Sequence, residues 1–317
     1  MLRTMARVVV LGMVIGAALL AALPVGAQAI RCDLTSAADF VARGQSSQNT
    51  GDYTSAIDDF TCALELDVEN TDALFGRAYS LQALGENDRA ERDYTALLEL
   101  DPNNPHAYNN RGNIYYNRGE FNKARADYDR AIALDNPNKD TAYANRGHLL
   151  YHTGDLVGAI KDFTHALELN PDDREIYFSR GYAYDDLGET EKATQDYLDW
   201  LSRGSEVYIR STPNRLQSGI ELDLQEGWYY RFPVTVGRGQ MIRAQAINLT
   251  DPVVDTFLFL FDPKGKLILW ADDTEDSLDS LLTYTATSDG EYTILVTHAG
   301  GGSYGRFELT VKVSNTL

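Results

Sequence analysis

The feature that most constrains this chain is a 34-residue period running from residue 37 to residue 203. The segments are 37–70, 71–104, 105–138, 140–173 and 174–203, with Lys139 as an extra residue and the last segment slightly short. A period of that length means one small supersecondary unit stacked repeatedly, each burying its apolar face on its neighbours. Position 15 of every unit is glycine (Gly51, Gly85, Gly119, Gly154, Gly188), and the next residue is always acidic (Asp52, Glu86, Glu120, Asp155, Glu189). A helix that stops at the glycine, and a second that starts on an acid suited to its positive end, make a helical hairpin. Position 8 is small (Gly44, Ala78, Gly112, Gly147, Gly181), and position 20 is alanine (Ala56, Ala90, Ala124, Ala159, Ala193). Position 24 is aromatic (Phe60, Tyr94, Tyr128, Phe163, Tyr197). The expected unit is two closely approaching helices wedged by one ring.

The pattern resembles the tetratricopeptide repeat family. Tyr108, Gly112, Tyr115, Ala124, Tyr128 and Ala131 carry it in the third unit, and Pro102 and Pro171 close the second and fourth. The resemblance covers about half the chain. It implies a right-handed α-solenoid within residues 30–203, with a concave groove lined by the first helix of each unit. The family's ligand-facing positions fall here on Phe75, Tyr79, Gln82, Asn109, Asn110, Asn113, Tyr116, Asn145, His148, Tyr151, His152, Tyr182 and Asp185, with Phe178 and Asp186 beside them. Asparagine can satisfy both a donor and an acceptor of a peptide backbone, and aromatics give rigid contact area. The row contains no lysine, which argues against capture of a C-terminal carboxylate. His148 and His152, four apart, have a spacing that can hold zinc with Asp185 or Asp186. A polar groove wall is the preferred reading, so no metal or cofactor is expected.

The repeats depart from the family in one way. Position 7 is arginine in every unit (Arg43, Arg77, Arg111, Arg146, Arg180), and position 23 is aspartate (Asp59, Asp93, Asp127, Asp162, Asp196). Antiparallel helices bring the two positions together, so a structural Arg–Asp ladder within or between units is expected. A row of anion-binding arginines is the alternative.

Residues 1–29 read as a secretory signal peptide: Arg3 and Arg7, an apolar run from Val8 to Leu23, the breaker Pro24, then Ala27-Gln28-Ala29. The expectation is therefore an exported protein, periplasmic or extracellular, with no membrane association after cleavage. In an oxidising compartment Cys32 and Cys62 can pair, the alternative being two free thiols. The net charge is −19. A chain this acidic repels phosphate backbones, which excludes nucleic acid as an expected partner.

Near residue 205 the period changes to two. Phe307, Leu309, Val311 and Val313 alternate with polar residues, as do Tyr292, Ile294 and Val296, while 257–261 is apolar on both faces. Turn signals stand at 262–265 and 288–290. Eight or nine short strands in residues 204–317 read as an all-β sandwich, with a small barrel as the other architecture. The stretch 255–313 resembles the bacterial pre-peptidase C-terminal domain, through Phe257–Gly265, Asp272-Asp273, Asp289-Gly290-Glu291-Tyr292 and Gly305. That resemblance implies a jelly-roll-like accessory domain, some relatives of which bind calcium or extracellular polymers.

The expected fold is multidomain, all-α followed by all-β. The expected function is non-catalytic binding of a protein or peptide segment in the groove. A surface-polymer or calcium-dependent adhesin acting through the sandwich is the alternative, with Asp255, Asp272, Asp273, Glu275, Asp276 and Asp279 as calcium candidates. A hydrolase is disfavoured. Gly301-Gly302-Ser303-Tyr304-Gly305 matches G-x-S-x-G, but a strand pattern follows it and no histidine lies downstream.

Overall fold

The computed structural model describes residues 32–134, 139–208, 220–224, 228–249, 255–272, 279–298 and 305–315. Residues 1–29, read above as a signal peptide, the G-x-S-x-G residues 301–304, and the calcium candidates Asp273, Glu275 and Asp276 lie outside the described residues. No helix among the described residues is long and apolar enough to cross a membrane.

Ten helices come first among the described residues, as five hairpins: α1 (Ala37–Asn49) with α2 (Tyr53–Leu66), α3 (Thr71–Ala83) with α4 (Asn87–Leu100), α5 (Pro105–Asn117) with α6 (Phe121–Ala133), α7 (Lys139–His152) with α8 (Leu156–Leu169), and α9 (Arg174–Asp186) with α10 (Thr190–Ser202). The glycine between the helices of each pair has φ between 73° and 85°, a left-handed conformation that side chains resist. The acid that follows is the N-cap of the second helix. Asp52 and Asp155 accept a hydrogen bond from the backbone three residues on, whereas the longer Glu86, Glu120 and Glu189 make no side-chain cap. Asn70 and Asn104, which end their units, cap the first helix of the next one.

The small residue at position 8 meets the aromatic ring of position 24. A Cβ on Gly112 would lie 2.7 Å from Tyr128, and one on Gly147 would lie 2.7 Å from Phe163. The ring thus fills the gap a side chain would need. Phe60, Tyr94, Tyr128, Phe163 and Tyr197 are all buried, each at the centre of its hairpin.

Nine strands follow among the described residues: β1 (Ser205–Tyr208), β2 (Ile220–Leu224), β3 (Trp228–Val236), β4 (Gln240–Asn248), β5 (Thr256–Phe261), β6 (Leu267–Ala271), β7 (Ser280–Thr285), β8 (Gly290–His298) and β9 (Gly305–Asn315). They form two sheets, ordered β1-β3-β8-β5-β6 and β2-β9-β4-β7. β1 runs parallel to β3, and all other pairs are antiparallel. Two separate sheets replace the barrel alternative. They share one core, in which Phe232, Leu258, Leu260, Ile294 and Val296 face Ile242, Ala244, Phe307, Leu309 and Val311.

β5 is apolar on both faces because both faces are covered. Leu258 and Leu260 enter the core between the sheets, while Phe257 and Phe259 pack on α9 and α10. Trp200 is fully buried there, 4.6 Å from Phe178 and 6.2 Å from Phe259 by ring centroids. The helices, the first sheet and the second sheet are therefore three successive layers at this junction.

Candidate functional site

Successive first helices touch one another more closely than successive second helices do. The stack therefore curves with α1, α3, α5, α7 and α9 on its inner side. That inner face carries the residues singled out from the repeat positions.

A polar ladder crosses the second, third and fourth units. The Tyr94 hydroxyl donates to Gln82 Oε1 at 3.1 Å and accepts from Asn110 Nδ2 at 3.2 Å. Asn109 Nδ2 donates to Asn110 Oδ1 at 3.4 Å, and Asn145 Nδ2 donates to Asn109 Oδ1 at 2.9 Å. The Tyr128 hydroxyl donates to Asn113 Oδ1 at 2.7 Å. All four asparagines are half-buried. Each amide offers two donors and two acceptor positions, so these contacts orient the amides and leave capacity unused. His106, Asn109, Asn110 and Thr141 also line a cleft between α5, α6 and α7.

Aromatic side chains flank the ladder. Phe75 stands edge-on to Tyr94 and His106, and the exposed Tyr79 meets Tyr53 at 6.3 Å. The two histidines are held by different rings, His152 by Phe121 (5.1 Å) and Tyr116 (5.9 Å), His148 by Phe163 (5.0 Å). His148 is open to solvent yet has protein crowded around it, as a residue on a concave floor does. That partial desolvation lowers its pKa from the usual imidazole value, and the negative charge of Asp173 opposes the shift.

Toward α9 the inner face is occupied by the chain itself. The Asp185 carboxylate accepts a hydrogen bond from Trp270 Nε1 of β6 at 3.2 Å. Tyr182 lies against Phe178, Tyr197 and Phe257, and Phe178 is buried between helices and sheet. Open groove therefore extends from Phe75 to about Tyr151, and the β-sheet closes its far end. The hydroxyls of Tyr94 and Tyr128 belong to this face although the repeat pattern marks their rings as wedges. The signal for them is the choice of Tyr over Phe at position 24, which adds only a hydroxyl to present. No local signal marks Trp270.

A profile for the Tetratricopeptide repeat matches residues 41–105, 76–139 and 109–164, and a second, described as TPR repeat, matches 147–188. Residues 41–188 are tetratricopeptide repeats. Solved structures with a similar fold include PilF of Pseudomonas aeruginosa (21% identity, TM-score 0.51, covering 57% of this chain and 80% of that one). PilW, a widely conserved type IV pilus biogenesis factor, matches at 22% identity and TM-score 0.50 over 53% of this chain and 77% of its own. MamA matches at 23% identity and TM-score 0.47 over 53% and 91%. No curated protein matches the chain.

Within the tetratricopeptide stack the Arg–Asp ladder is complete. Arg43, Arg77, Arg111, Arg146 and Arg180 each grip the aspartate sixteen residues on with two guanidinium nitrogens, at 2.6–2.9 Å. The third nitrogen reaches the preceding unit: Arg77 to Thr61, Arg111 to Thr95, Arg146 to Asp129 and Arg180 to Thr164. Each of these four arginines thus ties three helices, while Arg43 ties α1 and α2 to Asp33 in the segment before α1. With its fork committed to a buried carboxylate, it is poorly placed to take a free anion.

Cys32 and Cys62 are joined, with Sγ–Sγ 1.94 Å and Cα–Cα 5.4 Å. Cys62 is fully buried beside Phe40 and Phe60. In the sheet region, Asp279 Oδ1 accepts hydrogen bonds from both the backbone and side chain of Asn248, so that carboxylate ties two strand ends.

Proposed function

We propose that the chain is a non-catalytic, exported scaffold that holds a protein or peptide segment in the inner groove of its tetratricopeptide repeats. The observation that carries this reading is the asparagine ladder through Asn109, Asn110, Asn113 and Asn145. Asn109, Asn110 and Asn145 are linked to one another, Asn110 and Asn113 are held by the hydroxyls of Tyr94 and Tyr128, and all four are half-exposed in an aromatic frame. Preorganised amides beside rigid rings suit an extended backbone, which needs donors and acceptors at regular intervals.

Export is supported by the pattern of residues 1–29 and by the Cys32–Cys62 bond, a feature of oxidising compartments. The domain division proposed is 1–29 signal peptide, 30–203 repeats and 204–317 sandwich. The strand orders β2-β9-β4-β7 and β3-β8-β5-β6 support a jelly roll with β1 added at one edge, as the pre-peptidase C-terminal resemblance implies.

Selection of a random peptide library on the full chain tests the groove. Selected peptides should bind the Asn110→Ala, Asn113→Ala, Asn145→Ala triple variant at least about tenfold more weakly. Equal affinity for both proteins would remove the groove from the proposal.

A further inference from the structure

The closed end of the groove differs from its middle in one respect. In the second and third repeats the position-24 tyrosine hydroxyl is paired, Tyr94 with Gln82 and Asn110, and Tyr128 with Asn113. In the fifth repeat Tyr197 is fully buried and its hydroxyl has no hydrogen-bond partner among the described residues. Asp185 occupies the repeat position that Gln82 holds in the second unit, but its carboxylate is turned to Trp270 Nε1 instead.

Around that orphan hydroxyl the groups are acidic and aromatic. The Tyr151 hydroxyl donates to Asp186 Oδ2 at 2.6 Å, and the Trp270 ring meets Tyr197 at 5.3 Å. Burial raises the pKa of Tyr151, its hydrogen bond to Asp186 adds to this, and the charges of Asp186, Asp185 and Asp272 push the same way. Burial also raises that of Tyr197, followed by the charges of Asp185, Tyr151 and Asp186. Neither Asp185 nor Asp186 has a lysine or arginine within ion-pair distance among the described residues. Every position-23 aspartate, by contrast, is held by an arginine.

We propose that the corner between α7, α9 and β6 receives a cationic side chain of the bound segment, a lysine ammonium or an arginine guanidinium. The cation is held by the free carboxylate oxygens of Asp185 and Asp186 and by the rings of Tyr151 and Trp270. Carboxylates supply charge and directed acceptors, and the rings add cation–π attraction in a partly desolvated site. The Tyr197 hydroxyl lies buried beneath them without a hydrogen-bond partner among the described residues. Calcium suits the corner less well, because the indole N–H and ring carbons fill places that a shell of six to eight oxygens would need. The inference rests on the groove reading and names the chemistry of its occupant.

Peptides selected on the full chain should share a basic residue at one fixed position. In synthetic copies, lysine→norleucine should weaken binding about tenfold, and lysine→arginine shows which cation fits better. Asp186 is exposed, so Asp186→Asn leaves the fold intact, as circular dichroism would check. On that variant the lysine and norleucine peptides should differ less than about twofold. Peptides that depend on Asn110, Asn113 and Asn145 but carry no basic preference would overturn the cation site and leave the groove standing. Peptides indifferent to those asparagines would overturn both. A lysine preference that persists in Asp186→Asn would overturn the assignment to this corner.

Discussion

The two ends of the repeat stack are finished in different ways. At the first end, the segment before α1 is bonded through Cys32 to Cys62 of α2, and the small core beneath includes Phe40, Val41, Phe60 and Ala73. At the other, α9 and α10 are covered by a sheet, with Trp200, Tyr197 and Phe178 buried under Phe257, Phe259 and Leu295. A terminal repeat lacks a neighbour and frays unless something covers or ties it. A cross-link acts mainly by restricting the unfolded chain, whereas packing acts by burying surface in the folded one. The first device protects one hairpin. The second couples the helices to a whole sheet domain and shapes the groove as well, because the covering sheet brings Trp270 to Asp185.

That contrast makes Trp200→Ala the most damaging single change. Removing a fully buried indole costs about 3–5 kcal/mol. The loss should fall on the junction, so helical circular dichroism and the sheet's near-ultraviolet signal, melting together in the parent, should separate. A single unshifted transition in the variant would mean that the sheet does not cap the solenoid. Cys32→Ser comes next. For a sequence separation of 30 the chain-entropy relation assigns about 3–4 kcal/mol to the link. Hydrogen exchange should show lost protection in α1 and α2 with α9 and α10 unchanged. Uniform loss along the stack would contradict the idea that the ends are secured separately.

Much of the helical half was legible from periodicity, because it rests on contacts within about one repeat. Gly112 and Tyr128, or Arg111 and Asp127, are sixteen residues apart; the first pair recurs as glycine and aromatic in four units, with Ala78 in the second, and the other in all five, so the spacing itself exposes the contact. β5 was legible as a strand covered on both faces from the run Phe257–Phe261, although nothing in the run says that its second cover is a helix pair. The site was legible only where it follows the repeat. Asn109, Asn110 and Asn145 lie on the inner face as the family positions imply, but Tyr182 and Asp185 are claimed by the sheet. The partner of Asp185 is 85 residues away, on a strand whose position depends on the order of both sheets. Repeat arithmetic has no access to that distance. The groove's closed end, and with it the orphan hydroxyl of Tyr197, emerges only once the two halves are packed together.

The smallest expected effect asks whether position along the stack, rather than residue type, sets the worth of an Arg–Asp pair. Arg111 and Arg43 make the same two-nitrogen grip on an aspartate sixteen residues on. Arg111 is enclosed by neighbouring repeats, its side chain 16% exposed, whereas Arg43 at the first end is 41% exposed. Arg111→Met strands the Asp127 carboxylate in a dry site and should cost about 3 kcal/mol. Asp59 is as buried as Asp127, its side chain 8% exposed against 9%, but removing the half-exposed Arg43 opens it to water on that side and releases the exposed Asp33, so the cost of Arg43→Met should be nearer 1 kcal/mol. Denaturant midpoints of the two variants, taken with the Cys32–Cys62 bond intact, would measure the difference of about 2 kcal/mol. Equal losses would show that the guanidinium acts chiefly by tying its own hairpin together, the part of the contact that Arg43 and Arg111 share. In that case a hydrogen-bonding but uncharged replacement such as Arg111→Gln should recover part of the stability. A failure of glutamine to recover any would return the weight to charge burial, which differs between the middle of the stack and its end.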